Sequence, residues 1–88
     1  MTRPTPSAKV QPYELADALI AASNLALRTE VPTRHKAALA QVHNALVNLS
    51  YYVEHMETAT PRDVAEDLGN AINALAGAVR FLVTSKEV

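Results

Sequence analysis

The chain has 88 residues, a net charge of −1 and no cysteine. This length is enough for one domain, and the lack of cysteine excludes disulfides, thiolate metal sites and cysteine nucleophiles. Near-neutrality offers no general attraction to nucleic acid or anionic lipid, and a hydrophobic content of 49% is too high for a disordered protein.

Two uncharged stretches bear on localisation. The apolar run 18–22 is too short for a signal peptide, and the stretch 37–53 is too short and too polar to span a bilayer. We therefore expect a single helical domain over residues 12–88 that is cytoplasmic and has no membrane partner.

The first predicted helix spans residues 12–28. Residues 1–11 carry two prolines and small polar side chains without periodicity, which predicts a flexible tail. Pro12 suits the first position of a helix, where its missing N–H costs nothing. Apolar residues then follow along one side of the helix: Leu15, Leu19, Ala22, Leu25 and Ala26.

The second predicted helix spans residues 32–57. Pro32 disfavours helical geometry at Val31 and so separates this helix from the first. Its apolar residues alternate steps of three and four, the pattern of helices that pack nearly parallel or antiparallel. They are Leu39, Val42, Leu46, Leu49, Val53 and Met56.

The third predicted helix spans residues 61–84 and has the best-marked start. Thr60 is a good N-cap, Pro61 suits the first helical position, and Asp63 favours the positive helix terminus. The same three-and-four steps follow at Ala65, Leu68, Ile72, Leu75, Val79 and Leu82. Since the connections are short, neighbouring helices are antiparallel, and we predict an all-α, up-down-up three-helix bundle.

The distribution of charge predicts that this bundle associates. No charged residue lies between Asp17 and Arg28, between Lys36 and Glu54, or between Asp67 and Arg80. A helix in a small monomer needs one apolar stripe and normally carries charge on its other face. Uncharged helix middles therefore indicate that more than one face is buried, and we expect completion by homodimerisation or by another helical protein.

Candidate interface residues lie on the second and third helices. Small side chains on the third helix allow a close helix crossing, at a dimer interface or elsewhere, although an alanine-rich composition alone would give the same pattern. Tyrosine is favoured in interface cores. The candidates are Leu49, Tyr51, Tyr52, Met56, Ala71, Ala74, Gly77, Ala78 and Phe81.

An up-down-up arrangement also polarises the charge. One pole collects Arg28, Arg34, Lys36, Arg80 and Lys86 against Glu30 and Glu87, a net of +3, and the opposite pole has a net of −6. Cations at the start of the second helix oppose its macrodipole. Arg34, His35 and Lys36 are therefore candidate contacts for an anion or a partner's carboxylates, unless they form a merely solvated basic turn.

No constellation in the chain predicts catalysis. His35, His43 and His55 are spaced by eight and twelve residues, which is not the spacing that brings two metal ligands to one helical face. No phosphate loop, paired-carboxylate site or Ser-His-Asp set can be assembled. We therefore expect no enzyme activity, no metal and no cofactor.

The resulting functional hypothesis is a non-catalytic protein-interaction or assembly module. Its partner would be a second copy of itself or another helical protein, in a bacterial or phage adaptor or inhibitor. The alternative is a small nucleic-acid-binding regulator that uses the basic pole formed by Arg28, Arg34, Lys36 and Arg80.

Overall fold

The computed structural model describes residues 9–84 as three helices. They are α1 (Pro12–Arg28), α2 (Thr33–His55) and α3 (Pro61–Thr84). The all-helical prediction is confirmed, with α1 and α3 bounded as expected. α2 is slightly shorter because Pro32 is its extended N-cap and residues 56–58 form a turn. Residues 1–8 of the predicted tail and residues 85–88 lie outside the described residues.

Local hydrogen bonds mark two of the three helix starts. The backbone N–H of Asp63 donates to Thr60 Oγ1 at 3.1 Å, so Thr60 caps α3 as predicted. At α1 the N–H of Gln11 donates to Glu14 Oε1 at 3.3 Å. α2 begins with neither kind of hydrogen bond, because Pro32 makes no side-chain cap and the first turn of α2 contains no acidic residue.

Consecutive helices are antiparallel, in agreement with the up-down-up prediction. Along α2, Gln41 lies beside Gly77 of α3, whereas the later residue His55 bonds to the earlier residue Asp67. On the other side, His43 of α2 bonds to the backbone of Ser23, near the middle of both helices.

α2 is the central helix of an open bundle. It contacts both α1 and α3, but within residues 9–84 no Cα atom of α1 lies within 8 Å of one in α3. Gln41 and His43 are two residues apart, about 200° around an α-helix. The contacts with α3 and α1 therefore lie on opposite sides of α2, and the three helices form one layer in the order α1–α2–α3.

Small side chains fill the two contacts of α2. The buried residues are Ala16 and Ser23 of α1, Ala38, Ala45, Ser50 and Val53 of α2, and Val64, Ala71 and Ala78 of α3. The hydroxyls of Ser23 and Ser50 donate to the carbonyls of Ile20 and Val47, at 2.7 and 2.6 Å. Both buried polar groups are thus paired within their own helix, so neither carries a desolvation penalty.

Of the helices described here, none is both long and apolar enough to cross a membrane.

Candidate interaction surface

The large apolar side chains of this protein lie outside its core. Among residues 9–84, every buried residue is an alanine, a valine or a serine. Ile72 and Val79 are 65% and 60% exposed, and Leu75 and Leu82 are exposed as well. The three-and-four apolar steps of α3 therefore do not mark its contact with α2, which runs instead along Val64, Ala71 and Ala78.

One face of the layer can be followed from the contacts of α2. Seen from its N-terminus, a right-handed helix advances clockwise by about 100° per residue. In this view Gln41 faces α3, and His43, further clockwise, faces α1. Val42 lies between these two directions and therefore on one face of the layer. The same side of α2 carries Leu46, Leu49 and Val53, which are half-buried or buried.

α1 and α3 present apolar residues to the same face. Both helices run antiparallel to α2. In the same view their residues therefore advance anticlockwise, counted from the buried side chains that face α2. On α1 the sequence places Leu15, Leu19, Ala22 and Ala26 there. On α3 it places Leu68, Ile72, Leu75, Val79 and Leu82 there. We call these residues, with Val42, Leu46, Leu49 and Val53, the apolar face.

The other side of the layer is mixed and more polar. Tyr51 is two residues beyond Leu49, and Phe81 is two residues beyond Val79, so each lies about 200° from the apolar face. The side of the layer opposite the apolar face also carries three exposed asparagines, Asn24, Asn44 and Asn70. Only one side of the layer is thus continuously apolar.

The predicted interface residues divide among three places. Leu49 is half-buried on the apolar face, and Met56 is exposed seven residues further along the same side of α2. Tyr51 and Phe81 are exposed on the opposite side, and Tyr52 is half-buried on the side of α2 that faces α3.

The small residues of α3 form a contact within the chain. Ala71 and Ala78 are buried in the α2–α3 contact, and Ala74 and Gly77 are half-buried beside it. A Cβ added at Gly77 would lie 3.5 Å from Gln41 Cδ, an ordinary van der Waals distance. The close crossing is therefore between α2 and α3 of one chain, which leaves Ala71 and Ala78 covered.

One signal for these contacts was present in the sequence. Small residues recur at a spacing of seven on all three helices, in the pairs Ala16–Ser23, Ala38–Ala45 and Ala71–Ala78. A spacing of seven returns almost to the same side of a helix. This repeat marks the contact lines more directly than the leucines and valines do.

Charges gather at the two ends of the layer. The basic end, where α1 ends, α2 begins and α3 ends, carries Arg28, Arg34, Lys36 and Arg80 against Glu30, a net of +3. The acidic end carries Glu14, Asp17, Glu54, Glu57, Asp63, Glu66 and Asp67 against Arg62 and Lys9, which lies just before α1, a net of −5. Lys86 and Glu87 of the predicted basic pole lie outside the described residues.

Of the three residues predicted to contact an anion, Arg34 and Lys36 are exposed and His35 is half-buried. Within residues 9–84 the only contact closer than 4 Å between a basic side chain and a carboxylate is at the other end, between His55 Nδ1 and Asp67 Oδ2 at 3.4 Å. The basic turn therefore lies open to whatever approaches this end of the layer.

Two open cavities lie at or near the basic end. A cavity of about 640 Å³ lies at the α1–α2 connection and is lined by Arg28, Glu30, Lys36 and Leu39 among others. A smaller one, of about 370 Å³, lies between α2 and α3 and is lined by Gln41, Gly77, Arg80, Phe81 and Thr84. Residues 9–84 contain no cluster of three His, Cys, Asp or Glu side chains that could hold a metal ion.

Comparison with protein families, with curated proteins and with solved structures finds no match to this chain.

Proposed function

We propose that this protein is a non-catalytic assembly module that associates with a second copy of itself through the apolar face. The observation that carries the proposal is the division of its apolar residues: alanines and two valines form the core, whereas Leu15, Ile72, Leu75, Val79 and Leu82 are exposed on the apolar face. We include in this proposal a biological role as a bacterial or phage adaptor or inhibitor.

The burial within one chain supports this proposal energetically. Burying a valine, leucine or isoleucine contributes about 1.5–3 kcal/mol, and alanine contributes less because it has less apolar area. Five of the seven buried hydrophobic residues are alanines. The chain therefore gains little from its fully buried core, while its larger apolar side chains are half-buried or exposed.

The size of the apolar face suits an interface. A helix of the length of α3, 24 residues, rises about 36 Å, and neighbouring axes lie about 8–10 Å apart. α1 and α2, of 17 and 23 residues, rise about 26 and 35 Å, so the outline of the face covers roughly 900 Å². A stable protein interface buries about 800 Å² on each partner, which is similar in size.

Light scattering of two matched variants tests the proposal. Ile72→Glu places a charge on the apolar face, at a side chain that is 65% exposed, and should convert the associated protein to a monomer. Leu25→Glu is the control. Leu25 is 55% exposed and lies two residues beyond the buried Ser23, so it points away from α2 and off the apolar face.

Each outcome has a consequence for the proposal. A dimeric parent and Leu25→Glu variant, together with a helical but monomeric Ile72→Glu variant, would support it. A monomeric parent at high micromolar concentration would refute self-association and direct attention to a different helical partner. Equal dissociation by both charges would indicate that the apolar face is not the interface.

A further inference from the structure

We infer that the second copy stacks face to face on the first with its helices antiparallel, so that the basic end of each copy covers the acidic end of the other. This inference rests on the proposed self-association. It adds the orientation of the partner, which the existence of a dimer does not determine.

Symmetry reduces the orientations to two limiting cases. Homodimers are nearly always related by a two-fold axis, and for two layers packed face to face that axis lies in the plane between them. An axis along the helices stacks α2 parallel to its copy and brings like ends together. An axis across the helices stacks each helix antiparallel on its own copy and brings unlike ends together.

The end charges favour the axis across the helices. Like ends would place +3 against +3 and −5 against −5, whereas the antiparallel arrangement places +3 against −5 at both ends. Like-charge juxtaposition suppresses an orientation, and opposite charge favours it. The start of α2 adds to this preference, because Arg34 and Lys36 lie in a first turn that contains no carboxylate.

Side-chain size along α1 favours the same orientation. On the apolar face Leu15 and Leu19 lie toward the acidic end, and Ala22 and Ala26 lie toward the basic end. Antiparallel stacking of α1 on its copy sets leucines over alanines, an arrangement in which large and small residues interdigitate. Parallel stacking would bring the α1 leucines over α3 of the other copy, near Leu68 and Ile72.

Cross-linking through single cysteines can test the orientation cleanly, because the chain has no cysteine of its own. His35 precedes Val42 by seven residues, and Met56 follows Leu49 by seven. Both therefore lie on the apolar side of α2. They are 21 residues apart, about 30 Å along the helix. The variants His35→Cys and Met56→Cys would be treated with a short bis-maleimide, separately and after mixing. A denaturing gel would detect the covalent dimer, and light scattering would give the native mass.

The antiparallel arrangement predicts a cross-linked dimer only in the mixture, in which residue 35 of one copy meets residue 56 of the other. Tyr51→Cys, on the opposite side of α2 and 44% exposed, is the control and should react without cross-linking. Cross-linking of either variant with itself would mean a parallel dimer, which overturns this inference and leaves the proposed function standing.

Two further outcomes separate the inference from the proposal beneath it. A dimeric mass without cross-linking in the mixture would overturn the antiparallel stacking of α2 while self-association survives. A monomeric mass for the parent and for both variants would remove the proposed self-association, and the inference with it.

Discussion

His43 Nδ1 donates a hydrogen bond to the backbone carbonyl oxygen of Ser23 at 2.9 Å, from the middle of α2 to the middle of α1. Because a carbonyl oxygen can only accept, the proton of this bond resides on Nδ1. The bond fixes the register of two helices whose packed side chains are otherwise small.

Replacing His43 should therefore weaken the α1–α2 pair. We expect His43→Ala to lower the free energy of unfolding by about 1–2 kcal/mol through the lost hydrogen bond and packing, and His43→Asn to recover part of it through an amide donor near the Nδ1 position. Urea unfolding at one fixed protein concentration measures both. His55→Ala, which removes an exposed contact with Asp67 and a stacking contact with Tyr51, should cost less than His43→Ala.

The alanine contacts predict a strong dependence on side-chain size. Ala45 is 2% exposed on α2, so Ala45→Leu should overfill the contact and cost about 1–3 kcal/mol of unfolding free energy. Ala37→Leu is the matched control, since Ala37 is exposed on the same helix and leucine is also a good helix former. Thermal unfolding of the pair checks the prediction, and equal midpoints would contradict the close packing of α2.

The glycine at the α2–α3 crossing should be replaceable by alanine. A Cβ at Gly77 meets Gln41 at ordinary distance, and a Cβ at Gly69 meets nothing within 4 Å. Since alanine favours a helix by roughly 1 kcal/mol over glycine, we expect Gly77→Ala and Gly69→Ala each to raise the unfolding free energy by about 0.5–1 kcal/mol. A loss at Gly77 alone would mean that the crossing is closer than described.

Thermal stability should depend on protein concentration if folding and association are coupled. Association of the folded chain stabilises it by mass action, so the midpoint of thermal unfolding rises with concentration. We expect a rise of several degrees between about 5 and 500 μM for the parent and for Leu25→Glu, and none for Ile72→Glu. Circular dichroism in cells of different path length follows this, and a constant parental midpoint would argue against self-association.

Charge reversal at the start of α2 should weaken the dimer while stabilising the helix. Arg34→Glu with Lys36→Glu places acids where the macrodipole favours them, which should raise the stability of each chain by roughly 0.5 kcal/mol. It also removes the attraction to the acidic end of an antiparallel copy, so the dissociation constant should rise severalfold at low salt and converge with that of the parent above about 0.5 M salt. A fall in the dissociation constant would indicate parallel stacking.

The same pair of substitutions tests the nucleic-acid alternative. A basic end with four cations and one carboxylate is a small electrostatic footprint, and binding that depends on it would fall steeply with salt. Electrophoretic mobility shift of a duplex at low salt, with the parent and the reversed variant, gives the answer. Binding by the parent that is lost in the variant would revive this alternative.

Helix number and helix ends could be predicted because they depend on local chemistry. Pro12 begins α1, and Thr60 with Pro61 begins α3, since capping and the missing N–H of proline act within one turn. The orientation of the helices could also be predicted, because the connections between them are short.

The direction in which each apolar stripe points could not be predicted in the same way. Periodicity shows that Ile72, Leu75, Val79 and Leu82 share one side of α3, but it does not show which neighbour covers that side. His43 joins α1 to α2 through its hydrogen bond to the backbone carbonyl of Ser23. That bond links residues 20 apart, so no local pattern contains it.

By itself, therefore, the sequence determined three helices, the ends of α1 and α3, the antiparallel order of the helices and the polarity of charge along them. Only the tertiary structure decided that α2 lies between two helices whose Cα atoms, within residues 9–84, stay more than 8 Å apart, and that alanines, serines and two valines are the buried residues of its contacts. The physical reason is that small side chains let helix backbones approach closely, which packs one side of each helix and leaves its larger apolar residues on a second side. The periodicity of the sequence shows that a helix has two apolar sides, but it does not show which of them packs within the chain.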